Sequence, residues 1–485
     1  LTSEPKLFTN SGSSTGFYLD EYSNLYITGR HFYERPVIMS AGLSGKTTTF
    51  SKYNKFTKIE EVSKVKKAVG AETHILILTQ DGDVYVWGYD IFTNSEDTYS
   101  THHYGVLGLG KAPEGAPEEE EAKYYEAAVP VKLTFPNDAK IKDIASYAKK
   151  TYSGHGGGET GYNIAVGENN EIYVWGTNKS KALGEHDDAE DGIIWEPKLM
   201  DDQRALDDLN IEKIVIENGA NIVLTDSGDI YGWGINKYGL AYLLGIDDNR
   251  SNIFPPEKIE VLDTDNNPVK VKDISAASSN VLLLGGDNYA YMFGIGCKGV
   301  EFDRTEYTCP ILSKIKVPSR VLAPGSTDNT TFMPEVSFIA TGAYGTSNGY
   351  DTSIAIGSDG SIYGWGNNNM GQLGIKDYYS YNDTQGLEHK KFNIPQDLKK
   401  TEENYQDLSH IDANYQKPVP QWHDKNFKSI YIGKGFTYAM DENGAMYSWG
   451  SNSEGQLGIG EIKDDNGEIT GEEATYRMQK IEIER

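Results

Sequence analysis

Residues 74–88 read HILILTQDGDVYVWG, and this fifteen-residue pattern returns without internal gaps at 15–29, 162–176, 220–234, 280–294, 352–366 and 436–450. Every copy ends in glycine, and every copy carries tyrosine three residues earlier: Tyr26, Tyr85, Tyr173, Tyr231, Tyr291, Tyr363 and Tyr447. The pattern predicts a β-hairpin. A short apolar run such as Ile75–Leu78 enters a polar turn, Gln80-Asp81-Gly82, whose glycine tolerates the positive φ of a tight turn. The returning strand, Val84-Tyr85-Val86-Trp87, holds the β-branched and aromatic residues that favour a pleated surface.

The slot before the closing glycine holds Trp87, Trp175, Trp233, Phe293, Trp365 and Trp449, with Thr28 as the exception. Five of the seven tryptophans thus share one structural position, which predicts packing between neighbouring units rather than a ligand cage. Another short strand pattern precedes each hairpin: 6–8, 65–69, 141–144, 211–216, 271–274, 336–339 and 427–432. A further strand follows, often opened by proline: 36–38, 130–135, 197–199, 256–262, 310–315 and 418–422. Proline suits an outer edge strand, where a missing amide donor does little harm. Four strands in each of seven units describe an all-β, seven-bladed β-propeller, a single one over residues 1–485.

After the sixth hairpin comes Asn367-Asn368-Asn369-Met370-Gly371-Gln372-Leu373-Gly374, and after the seventh Ser451-Asn452-Ser453-Glu454-Gly455-Gln456-Leu457-Gly458. Joined to the hairpin, these runs resemble the repeats of the regulator of chromosome condensation (RCC1) family, whose signature continues through an aromatic-Gly pair into N-x-x-G-Q-L-G. Degraded versions follow the third and fourth hairpins, at Asn178…Leu183-Gly184 and Asn236…Leu244-Gly245, and the second is interrupted before Gly105-Val106-Leu107-Gly108. The resemblance runs from about Lys6 to Arg485 and implies four-stranded blades with an interaction role. One position departs from it: the residue that is commonly His in the family is His only at His74, and elsewhere Thr15, Tyr162, Ala220, Asn280, Thr352 and Phe436.

Charge narrows the partners. The chain has 72 acidic and 45 basic residues, a formal −27, and such a field repels phosphate backbones, so no nucleic-acid partner is expected. No apolar run is long enough to span a membrane, so no direct membrane insertion is expected either. The chain starts at Leu1 rather than Met, which fits either a shortened chain or a mature form whose targeting segment has been removed. Cys297 and Cys309 lie close enough in sequence for one loop-closing bridge, worth about 2–3 kcal/mol if free of strain, and two buried thiols fit as well.

Irregular spacing between hairpins marks insertions at 89–104, 111–126, 185–210 and 375–426, and loops of such length are commonly functional. Because each follows an aromatic-Gly hairpin, all are expected on one rim. The acidic 111–126 segment reads as mobile. Short helices are expected near Asp201–Leu209 and around Gln396–Leu408. Aromatic residues on these loops, Tyr89, Phe92, Tyr99, Tyr104, Tyr378, Tyr379 and Tyr381, are the candidate partner-binding set.

No cofactor is called for. The acidic run 187–192 and Asp263-Thr264-Asp265 lack the ligand spacing of a calcium loop. His102 and His103 are adjacent, a poor spacing for zinc, and read as surface histidines. The glycines at 156–158 lack the flanking elements of a phosphate cradle, and no nucleophile elbow or acid/base pair is visible. The expectation is therefore a non-catalytic propeller, not an enzyme, that binds a protein through its insertion-rich rim as an assembly component or adhesin-like module. An extracellular or surface-attached place is favoured, with the N-x-S/T triplets at Asn178, Asn249, Asn329 and Asn382 compatible with it. Guanine-nucleotide exchange on a small GTPase, implied by the resemblance, and enzyme inhibition by one propeller face are the alternatives.

Overall fold

A computed structural model describes residues 4–9, 13–31, 51–90, 92–93, 101–148, 161–178, 181–185, 192–238, 241–242, 244–246, 250–277, 280–295, 314–321, 332–343, 351–368, 370–374, 391–397, 426–463, 466–471 and 473–483. Each fifteen-residue pattern is the central hairpin of a sheet, and its first and last residues face each other across the strands, as in Thr15↔Gly29, His74↔Gly88 and Phe436↔Gly450. The inner strands are Lys6–Phe8, Val65–Gly70, Ile141–Ala148, Ile211–Glu217, Val271–Ala276, Val336–Ala343 and Phe427–Ile432. The outer strands are Ser51–Lys58, Glu126–Lys132, Ile193–Leu199, Asn252–Ile259, Lys314–Arg320, Lys391–Asp397 and Ala474–Lys480. With the hairpins between them they form seven antiparallel four-stranded sheets, arranged as a seven-bladed propeller.

The closing glycine has a physical reason in two terms. Gly176 sits at φ 109° and Gly450 at φ 103°, a backbone region that side chains rarely adopt. A Cβ at Gly176 would also lie 2.7 Å from the Gly161 carbonyl, and one at Gly450 2.5 Å from that of Gly435.

The outer strand carries a bulge opposite the aromatic slot. In the third blade the pairs Val174↔Lys198 and Gly176↔Ile194 leave Trp195, Glu196 and Pro197 facing Trp175 alone. The same shift recurs in every blade. Pro130, Pro197, Pro256, Pro318 and Pro395 each stand at the end of such a bulge, where no ladder donor is needed. Proline therefore marks the middle of an edge strand, not its opening as expected from sequence. In the first blade the outer strand is Ser51–Lys58, and in the sixth it is Lys391–Asp397, which takes up Gln396 from the expected helix. The expected strands at 36–38 and 418–422 lie outside the described residues.

The core is a series of layers between blades, not within them. One layer joins Phe17, Leu19 and Ile27 of the first blade to Val65, Ile75, Ile77 and Trp87 of the second. Another joins Leu7, Tyr18 and Phe56 to Phe436, Tyr438 and Leu457 of the seventh. The slot aromatics Trp87, Trp175, Trp233, Phe293, Trp365 and Trp449 are all buried, as is Thr28. A sheet alone leaves its apolar faces wet, so stacking neighbours supplies the stabilisation.

Inner strands of all seven blades line a central channel enclosing about 480 Å³. Along it Lys67 of the second blade meets Asp143 of the third at 2.5 Å, Asp143 accepts from the Ile214 amide of the fourth at 2.9 Å, and Lys213 of the fourth meets Asp273 of the fifth at 2.6 Å. Across the short first inner strand, Lys434 of the seventh blade reaches Glu72 of the second at 2.6 Å.

Candidate functional site

Among the described residues, the loops after the second, third, sixth and seventh hairpins lock onto the next blade. Asn178, Asn368 and Asn452 accept from the Leu183, Leu373 and Leu457 amides through Oδ1, closing the loop on itself. The folded loop then offers a carbonyl forward: Val106 accepts from the Trp175 indole at 3.1 Å and Gln372 from that of Trp449 at 2.9 Å. The second residue of the hairpin bonds the same loops, Asn163 to Val106, Asn221 to Ala182 and Thr437 to Gln372. The first residue bonds the second residue of the next hairpin: His74 Nε2 lies 2.7 Å from Asn163 Oδ1, and the Tyr162 hydroxyl donates to Asn221 Oδ1 at 2.9 Å. His74 is thus a joint between blades, completed by Ser146 and Thr73, and its burial lowers its pKa to about 4, with the Asn163 contact opposing.

In the second blade Asp90 takes the place of the loop asparagine, and the insertion is built on it. Its Oδ1 accepts from the Tyr104 amide at 2.9 Å and its Oδ2 from that of Gly105 at 2.8 Å. Burial raises its pKa to about 6, against the lowering effect of those backbone donors. Between Asp90 and Tyr104 a short ribbon pairs Phe92–Thr93 with Thr101–His102. His103 binds the Asp90 carbonyl through Nδ1 at 2.6 Å and stacks on Tyr125, ring centroids 3.6 Å apart and 10° from parallel.

Tyr125 ends an α-helix, Glu118–Tyr125, where the sequence predicts a mobile acidic segment. The glutamate run occupies the helix N-terminal half, where the backbone dipole favours negative charge, and the buried Tyr125 holds the other end. Its hydroxyl accepts from the Ala112 amide at 3.0 Å, and its ring lies 6.1 Å from that of Trp195 in the third blade's outer strand. Tyr124 and Trp195 are partly exposed beside it.

Of the aromatic candidates read from sequence, Tyr89 is corrected: it ends strand Val84–Tyr89 and is buried, so it packs instead of meeting a partner. Tyr104 is partly exposed and leans on Ala71 and Ala148. Phe92 stands on the short ribbon. Tyr99, Tyr378, Tyr379 and Tyr381, together with Cys297, Cys309 and the segments 156–158 and 187–191, lie outside the described residues. His103 is half-buried and engaged, not a free surface histidine. Asn178 is buried with both amide atoms bonded to its own loop, so its N-x-S triplet presents no accessible acceptor, while Asn249, Asn329 and Asn382 lie outside the described residues.

The rim expectation also changes. Segments 89–104 and 111–126 connect the third strand to the outer strand, but 185–210 and 375–426 each contain an outer strand, Ile193–Leu199 or Lys391–Asp397. Because that strand crosses the blade, the two ends of each segment emerge at opposite rims. Near Asp201–Leu209 only a 3-10 turn, Arg204–Leu206, forms. Among the described residues no cluster of His, Cys, Asp and Glu is arranged to hold a metal, and no helix is long and apolar enough to cross a membrane.

Sequence reasoning missed Trp195, Tyr124 and Tyr125. The signal for Trp195 was present, since it is one of two tryptophans outside the hairpin slot. Tyr124 and Tyr125 were hidden by the glutamate run before them.

Comparisons with known proteins agree with this architecture. Residues 359–413 and 427–456 match the regulator of chromosome condensation (RCC1) repeat. The ultraviolet-B receptor UVR8 of Arabidopsis thaliana is 23% identical over 405 residues, spanning 83% of this chain and 68% of that protein. Yeast RCC1 (Prp20), solved bound to Kap60, superposes with a TM-score of 0.56 at 18% identity, covering 98% of this chain and 85% of that one. Human WBSCR16 superposes at 0.58 with 15% identity, covering 95% and 94%. With RCC1 repeats matched in its sixth and seventh blades and an RCC1-type ring around them, this chain is an RCC1-like seven-bladed β-propeller.

Proposed function

We propose that this chain is a non-catalytic interaction propeller that binds a protein through the rim where the third strands lead into the outer strands. The supporting observation is that three partly exposed aromatic side chains, His103, Tyr124 and Trp195, gather around the buried Tyr125 on a frame anchored by Asp90. Aromatic side chains fixed on a rigid frame supply contact area at low entropic cost. Yeast RCC1, a neighbour in fold, is solved bound to a protein, Kap60. The extracellular or surface-attached place belongs to the same proposal and is tested by locating the tagged chain in its native cell.

The experiment compares the full chain with a variant in which a short Gly-Ser link replaces residues 91–102 and His103 is changed to Ala, keeping Asp90 and Tyr104. Partner binding is expected to fall while the melting temperature holds, and unchanged binding by the trimmed chain overturns the rim reading. Nucleotide release from a Ran-like GTPase is expected to proceed at its uncatalysed rate, and acceleration would establish the exchange reading instead.

A further inference from the structure

The aromatic surface has a defined edge. Trp195 stands on the third blade's outer-strand bulge, and the Gly110 amide donates to its carbonyl at 3.1 Å, clamping the second blade's loop against it. Gly110 permits that approach: a Cβ there would lie 3.0 Å from Glu196 Oε1 and 3.4 Å from the Tyr124 ring. Tyr124 and Tyr125 have ring centroids 6.4 Å apart, so Tyr124, Tyr125 and Trp195 form one continuous aromatic step across two blades. Over the Trp195 ring, 5.9 Å from its centroid, lies the amine of Lys111. Glu120 and Glu121, four and three residues before Tyr124, share its helix face, and with Glu196 they are exposed.

An aromatic face with a cation above it and carboxylates around it has the chemistry that recognises a guanidinium or ammonium group. We propose that Trp195 and Tyr124, framed by Glu120, Glu121 and Glu196, form a docking platform for a basic segment of a partner protein, an arginine or lysine of which takes the place of Lys111 over Trp195. The position of Lys111 shows that the indole face accepts a cation. The net charge of −27 favours approach of a basic partner over an acidic one. The proposal rests on the interaction reading above and deepens it by naming the partner's chemistry.

The probe is an octa-arginine peptide titrated into the full chain, with an octa-glutamate peptide beside it. Trp195→Ala is expected to weaken octa-arginine about tenfold, in line with loss of one desolvated cation–π contact. Lys111→Ala is expected to tighten it severalfold by removing both an internal competitor and a like charge. Octa-glutamate should not bind. Should Trp195→Ala unfold the chain, Lys111→Ala set beside Lys123→Ala decides, since both remove one exposed positive charge and only Lys111→Ala uncovers the indole; equal tightening by the two overturns the platform. Equal affinity in wild type, Trp195→Ala and Lys111→Ala overturns the platform and assigns binding to diffuse acidity. Loss of the native partner on trimming 91–102, with full retention in Trp195→Ala, sinks the platform while leaving the rim reading intact.

Discussion

Two buried residues of the second blade titrate in opposite senses. Asp90 has a folded pKa of about 6, above its ordinary 3.8, so the stability it contributes is complete below about pH 4 and is lost as pH rises through 6. His74, held near 4 against an ordinary 6.5, stays neutral when the unfolded chain would take a proton, so its contribution is present above 6.5 and is lost as pH falls toward 4. Each effect is on the order of 3 kcal/mol, and they nearly cancel between pH 4 and 6.5. Asp90→Asn is expected to expose the His74 effect, with melting temperature falling on acidification across that window. His74→Asn should reverse the slope, with melting temperature falling as pH rises; two parallel profiles would contradict the assignment. The sequence flags His74 by its place in the hairpin and sets Asp90 two residues after its closing glycine, where Asn178, Asn368 and Asn452 stand after theirs. The insertion that follows Asp90 hides which amides it holds, and the bonds to Tyr104 and Gly105 show that it closes its loop as those asparagines do.

The hairpin was legible because every requirement on it is local: a turn, a period of two, and a glycine closing each copy. That glycine makes a sharp prediction. Gly450→Ala combines a left-handed backbone with overlap against the Gly435 carbonyl, and should cost about 3 kcal/mol or more by urea unfolding. Gly444→Ala in the turn of the same hairpin has φ 81° but no neighbour within 4 Å, and should cost about 1 kcal/mol. Equal costs would show that backbone conformation alone, not the close approach, selects the closing residue. The outer strands were less legible. Their register depends on a three-residue bulge and on pairing across an insertion, and neither leaves a periodic trace, so proline was read as a start when it marks the bulge's end. The helix Glu118–Tyr125 was lost for a similar reason: its glutamate run predicts disorder, whereas Tyr125 fixes it by packing on His103 in a segment distant in sequence.

At the scale of the ring, each blade is built from one continuous stretch, so the first and last blades join without exchanging a strand. The seam explains the single exception in the aromatic slot. Thr28 donates to the Gly455 carbonyl at 2.9 Å, and Phe56 packs 6.0 Å from Tyr438, filling the space that a tryptophan takes elsewhere. Because no sheet spans the ends, a circular permutant is expected to keep all seven sheets. Joining residue 485 to residue 1 of this chain through about ten residues and opening the exposed 264–267 turn should leave the melting temperature within about 5 °C of the unpermuted chain. Loss of cooperative unfolding would show that the seam depends on the unpermuted connectivity. The sequence by itself determined the number of blades, the hairpin in each and the burial of the slot aromatics, because these follow from contacts repeated at short range. Only the tertiary structure decided how the ring closes, which loops share a rim and that Trp195 meets Tyr125, because those contacts join residues far apart in the chain whose partners no repeat encodes.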